Sequence, residues 1–109
     1  MTLNIYRGGK IEKTYTAEAY DLMFGVLEDV ADAVKIDEMK NGSDEELVKM
    51  TANLVVRSMG TVHDLLKDVF EGITEEEIRR TKVIEIATVL VQIIKYTIEQ
   101  MRKGISGKN

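Results

Sequence analysis

A chain of 109 residues with 44% hydrophobic and 31% charged side chains reads as one folded domain, not a disordered or multi-domain protein. It has no cysteine, which excludes disulfides and thiolate metal sites, and no proline, which leaves helices uninterrupted. The net charge of −4 and the lack of a clustered basic face argue against a nucleic-acid partner.

The charge is unevenly placed. Residues 17–78 hold 16 acidic and 5 basic side chains, whereas residues 79–109 hold 7 basic and 2 acidic. Either these regions neutralise one another within a monomer, or they steer association with a partner. The opening MTLNIYRGGK lacks the apolar core of a signal peptide. No stretch reaches the roughly 18 apolar residues that a membrane span needs. A cytoplasmic protein without a membrane partner is expected.

In chain order, the first element is a β-hairpin over 1–16. Leu3, Ile5 and Arg7 alternate with Asn4 and Tyr6, and Ile11, Lys13 and Tyr15 share one side of the return strand. Gly8-Gly9 between them is a two-residue turn. An isolated hairpin is marginal, so it must pack on the helices or join a partner's sheet. Thr16 is placed to N-cap the next helix. Tyr20, Met23, Leu27, Val30 and Val34 then recur at spacings of three and four, which predicts one buried helix face ending near Lys35. Residues 36–43 are expected to form a loop turning at Asn41-Gly42.

Ser43 and Glu46 have the spacing of a capping box. From Leu47 through Met50, Leu54, Val55, Met59, Val62, Leu66 and Phe70 the apolar phase persists across Gly60. That predicts one long helix, kinked at Gly60, with two helices as the alternative. Gly72 fits the C′ position. Thr74 and Glu77 form a second capping box, and Thr81 marks a bend before a last helix from Lys82 to about Lys103. In that helix Glu85, Thr88, Gln92, Lys95, Glu99 and Arg102 form a thin polar line. The rest is almost wholly apolar, so the helix is either central to the domain or shared with another chain. Residues 104–109 are expected to be a flexible tail. The fold class is therefore mainly α: a small helical bundle over 17–103 with an N-terminal β-hairpin.

No catalytic, cofactor-binding or metal-ligating constellation is present. His63 lies beside Asp64 on a helix with no nucleophile in view. The acidic clusters Asp44-Glu45-Glu46 and Glu75-Glu76-Glu77 fall in first helical turns, where negative charge offsets the macrodipole. Gly8-Gly9 belongs to no phosphate-binding pattern. An enzyme is not expected. The candidates for binding a protein or a second copy are Met23 and Leu27, and Val89, Ile93, Ile94, Tyr96 and Met101 on the last helix. Methionine among them suits a surface that repacks around varied helices.

The order of these pieces resembles the tail assembly chaperones of long-tailed bacteriophages and prophages of Gram-positive hosts. LNIYRGGKIEKTYTAEAYDLMFGVLEDV, LLKDVFEGITEEEIRRTKV and the apolar last helix carry the likeness, which with the helix between them spans almost the whole chain. Where such proteins often have proline after the phenylalanine, this chain has Glu71. The resemblance implies a non-enzymatic protein that coats the tape measure protein in the host cytoplasm. It would keep that client soluble until tail tube subunits polymerise around it, and then be shed. It also implies self-association, and this chain would be the shorter of two forms related by a frameshift. A minor structural subunit of the tail, and a small helical regulator, are the alternatives.

Overall fold

The computed structural model describes residues 1–34 and 43–106. Two strands, β1 (Thr2–Arg7) and β2 (Lys10–Thr16), are followed by a 3-10 turn at Ala19–Asp21 and five helices. These are α1 (Phe24–Val34), α2 (Asp44–Arg57), α3 (Met59–Val69), α4 (Glu75–Ile78) and α5 (Val83–Ser106). The chain is mainly α with an N-terminal hairpin. The loop expected over 36–43 lies almost wholly outside the described residues.

The hairpin forms because Gly8 and Gly9, at φ +59° and +82°, take the left-handed conformations that a two-residue turn requires. The strands are antiparallel, with Leu3 opposite Tyr15 and Ile5 opposite Lys13. Tyr6 then faces Ile11, which leaves Glu12 as the extra residue of a bulge. The bulge breaks the alternation read from sequence: Ile11 is exposed while Tyr15 is half-buried. Leu3 and Ile5 are fully buried, so β1 supplies the sheet's contribution to the core.

Thr16 is not a helix cap. It pairs with Thr2 in the ladder, and the next residue exchanges two backbone hydrogen bonds with Met1, its N–H to Met1 O at 2.9 Å and its C=O from the Met1 amine at 2.7 Å. With Thr16 held in the strand, α1 starts only at Phe24. Its inward face is Val26, Val30 and Val34, while Tyr20 and Met23, expected to be buried, precede the helix and face outward.

The break between α2 and α3 falls at Ser58, not at Gly60. Ser58 leaves helical geometry (φ −135°, ψ 50°), yet its N–H still reaches Leu54 O at 2.9 Å and its C=O accepts from Val62 N–H at 3.0 Å. One non-helical residue lets α2 lie on α5 and α3 on α1 without disturbing the apolar phase. Both predicted caps operate: Ser43 Oγ accepts from Glu46 N–H, and Thr74 and Glu77 exchange both bonds of a capping box at 3.1 Å. Gly72 sits two residues beyond the Phe70 cap, at φ +90°, inside a turn closed by Ile73 N–H to Phe70 O. The last helix runs to Ser106, past the expected end at Lys103. Residues 107–109 of the expected tail lie outside the described residues.

α5 packs against β1, α1 and α2. Val89, Leu90, Ile93, Ile94 and Ile98 meet Leu3, Ile5, Val30, Leu47, Leu54, Leu65 and Phe70 in one core. Thr51 and Thr97 are buried with it, each donating its hydroxyl to the carbonyl one turn back, Leu47 O at 2.9 Å and Ile93 O at 2.8 Å. That satisfies the hydroxyl without a side-chain partner.

Candidate protein-binding surface

α5 divides the molecule's surface chemistry. Its first turn holds a polar seam against the hairpin, and its two flanks leave apolar recesses beside α1 and beside α2.

At the seam the outer edge of β1 has its backbone satisfied by side chains and loop. Asn4 N–H donates to Glu85 Oε1 at 3.0 Å, and Tyr6 N–H donates to Arg80 O at 2.8 Å. The Tyr6 hydroxyl donates to Glu85, and Lys82 lies 4.6 Å above the Tyr6 ring. Arg80 Nη1 donates to Tyr6 O at 3.0 Å and to Glu12 at 2.5 Å, so the bulge residue is part of the clamp. On the second strand Tyr15 donates to Glu77 at 2.6 Å and Lys13 reaches the same carboxylate. The result is an edge strand that no partner can extend.

These contacts shift several groups. Burial pushes Glu85 upward, but the hydrogen bonds from Tyr6 and Asn4 outweigh it and hold the carboxyl below its ordinary value. The bond to Glu85 raises the Tyr6 phenol. Arg80, then Arg7, lowers Glu12, and Tyr15 lowers Glu77.

The α1 flank carries a recess of about 460 Å³ lined by Leu22, Phe24, Leu27, Tyr96, Gln100 and Met101. Phe24 is 74% exposed, and Met23 beside it in sequence is 73% exposed. The α2 flank carries a trough of about 420 Å³ between Val48, Ala52, Val55 and Val56 on α2 and Val83, Ile84, Ala87 and Val91 on α5. Exposed apolar side chains grouped in this way mark interaction surfaces, where isolated ones do not.

The expected binding residues divide between core and surface. Val89, Ile93 and Ile94 are a correction: all three are buried in the chain's own core and offer no surface. Their helix is amphipathic after all, because the flank toward β1, α1 and α2 is covered within the chain. Leu27 and Tyr96 are half-buried, and Met23 and Met101 are exposed; Leu27, Tyr96 and Met101 line the α1 recess, and Met23 adjoins it in sequence. Sequence reasoning missed Phe24, Val48, Val56, Val83 and Ile84. Val48, Ala52 and Val56 recur every fourth residue on the polar side of their helix, which is the signal that identifies them.

Two polar hollows lie elsewhere on the described surface. One, of about 400 Å³, lies among Met59, Gly60, His63, Lys67 and Glu75, where Lys67 donates to Glu75 at 2.8 Å and His63 Nδ1 is 3.8 Å from it. The Lys67 ammonium lowers the Glu75 carboxyl. The other is edged by Asp29, Asp32 and Asp64. Among the described residues no group of three or more histidines, cysteines or carboxylates is placed to hold a metal ion. None of the described helices is long and apolar enough to cross a membrane. No protein-family model, curated protein or solved structure matches the chain.

Proposed function

We propose that this chain is a tail assembly chaperone of a long-tailed phage or prophage, which binds the tape measure protein in the host bacterial cytoplasm and keeps it soluble during assembly. The observation that carries the reading is the α1 recess, with Phe24, Leu27, Tyr96 and Met101 lining it and Met23 exposed beside Phe24. A recess of this shape and chemistry accepts the apolar face of an amphipathic helix, read as anchors one turn apart. A tape measure protein is a long, largely helical client, and it presents such faces repeatedly. Methionines and half-buried aromatics let one surface accommodate many of them. The segments at 3–30 and 65–83 that carry the resemblance comprise the hairpin with most of α1, and the end of α3 with α4.

The test is co-expression with the tape measure protein encoded nearest this chain's gene. Wild type should keep the client in the supernatant. Met23→Asp combined with Phe24→Asp should release it to the pellet while the helical circular dichroism stays unchanged. A client that remains insoluble with wild type, or soluble with the double variant, refutes the reading. Recovery of the chain from purified mature tails would place it instead among the minor structural subunits.

A further inference from the structure

We propose that the α1 recess selects helices carrying a line of acidic side chains beside their apolar stripe, and that Tyr96, Gln100 and Lys103 bind that line. The proposal rests on the reading of this recess as a helix-binding site and adds which helices it takes.

The two walls of the recess differ in kind. The wall before and along α1 is apolar: Leu22, Phe24 and Leu27. The α5 wall holds Tyr96, Gln100 and Met101, so two of its three side chains end in hydrogen-bonding groups. Both are half-buried, and neither has a hydrogen-bond partner among the described residues. Elsewhere the fold provides such partners itself. The hydroxyls of Tyr6 and Tyr15 donate to the carboxylates of Glu85 and Glu77, and those of Thr88 and Thr97 donate to the carbonyl one turn back. Tyr96, half-buried like Tyr6 and Tyr15, has no such carboxylate among the described residues.

α5 continues this wall past Gln100. At about 100° per residue, Tyr96, Gln100 and Lys103 fall within about 60° of one another and form one stripe. Lys103 is exposed and has no ion-pair partner among the described residues. The stripe runs about 10 Å along the helix. It offers a phenol, an amide and an ammonium, each able to donate, at spacings of four and three. Carboxylates at the same spacings on a helix seated in the recess meet all three. Charge keeps the acidic line to that side. Glu28 follows Phe24 by one turn on α1, and Asp21 precedes Leu22, so a carboxylate turned toward that wall meets its own sign. Glu99 lies about 40° farther round α5 from the recess than Lys103, and no ion pair joins the two.

The test uses three synthetic amphipathic helices of about 20 residues, long enough to hold helical structure. Each carries a leucine stripe and, beside it, a line of glutamate, glutamine or lysine at spacings of four and three. Binding is read by fluorescence anisotropy at low salt. The glutamate helix should bind about tenfold more tightly than the lysine helix, or better, with the glutamine helix between. Tyr96→Phe, which removes only the hydroxyl, should narrow that preference severalfold and leave the lysine helix unaffected. Lys103→Glu should reverse the order. Lys95→Glu makes the same charge change about 100° round from Tyr96 and away from the recess, and it should leave the preference unchanged. The proposal is overturned if none of the three helices binds, if glutamate and lysine helices bind equally, if Tyr96→Phe or Lys103→Glu leaves the preference untouched, or if Lys95→Glu shifts it as much as Lys103→Glu does. Client solubility tests the chaperone reading separately. A rescued client with no preference among the helices leaves that reading standing and removes this one; a clear preference with an unrescued client does the reverse.

Discussion

Replacing Glu85 by alanine should detach the hairpin from α5 more than any other single surface change. The carboxylate accepts from Asn4 N–H at 3.0 Å and from the Tyr6 hydroxyl. Hydrogen bonds to a charged group contribute about 1.5–3 kcal/mol each. Both donors here are only partly buried, so water recovers part of each when the carboxylate is removed. The net cost should be about 2–3 kcal/mol, a large share of the roughly 5–15 kcal/mol that holds a domain folded. For a domain of this size that lowers the melting temperature by roughly 10–20 °C. Urea denaturation and thermal melting measure it directly. A double-mutant cycle with Tyr6→Phe should show the two residues to be coupled, their separate losses together exceeding that of the double variant.

The pH dependence supplies an independent check with a definite sign. The Glu85 carboxyl is held below its ordinary 4.5 in the folded chain, so the unfolded chain binds its proton first as acid is added. Its contribution is therefore complete above 4.5 and is lost as the pH falls through the folded value. Tyr6 is raised above 10.0, so its contribution is complete below that value and is lost as the pH rises through the folded one. Glu85→Gln keeps an acceptor for Asn4 but removes the charge, so it should lose about half the stability and flatten the acid limb. If Glu85→Ala costs under about 0.5 kcal/mol, an ordinary surface substitution, or shows no coupling to Tyr6, the seam does not anchor the hairpin.

Thr74→Ala removes the side chain that accepts from Glu77 N–H and should cost about 1 kcal/mol by urea denaturation. Ile93→Ala empties a fully buried site and should cost about 2–5 kcal/mol, whereas Val56→Ala should change stability by under about 0.5 kcal/mol. Gly9→Ala, at φ +82° with open space around it, should cost about 1–2 kcal/mol through backbone strain alone. Glu12, Glu75 and Glu77 are held low by Arg80, Lys67 and Tyr15 respectively, so wild-type stability should fall steadily as the pH drops below 4.5, and Glu77→Gln should shallow that fall.

What the sequence discloses depends on how local the determining physics is. Gly8-Gly9, Ser43 with Glu46, and Thr74 with Glu77 each specify a turn or cap through residues a few positions apart, and each is where the pattern puts it. The bulge at Glu12 is not visible locally, and one of the two arginines its carboxylate pairs with, Arg80, lies far along the chain. The same holds at Thr16: its capping chemistry is real, but pairing with Thr2 claims it first. Ser58 breaks a helix whose apolar phase gives no warning, since the break serves the different partners of α2 and α3. Burial on α5 was the hardest to read. A helix with one thin polar line has more apolar faces than one neighbour covers, and periodicity alone does not say which neighbours arrive. Val89, Ile93 and Ile94 are buried in the core that β1, α1 and α2 complete, while Val83, Ile84 and Met101 stay exposed.

That partition bears on why the surface apolar residues stand where they do. A hairpin this small cannot hold itself; Glu85, Arg80 and the Tyr15–Glu77 bond fix it to α5, to α4 and to the turn between them, while Arg7 with Glu12 and Thr14 with Asn4 bond within it. The clamp covers the β1 edge of the sheet. The apolar recesses lie elsewhere, one beside α1 and one beside α2, on the flanks of the same central helix. The proposed client needs only the first of them. If Val56→Asp leaves client solubility intact while Met23→Asp with Phe24→Asp abolishes it, the α1 recess binds the client by itself. If both changes abolish client solubility, one shared surface serves and the division across α5 is wrong.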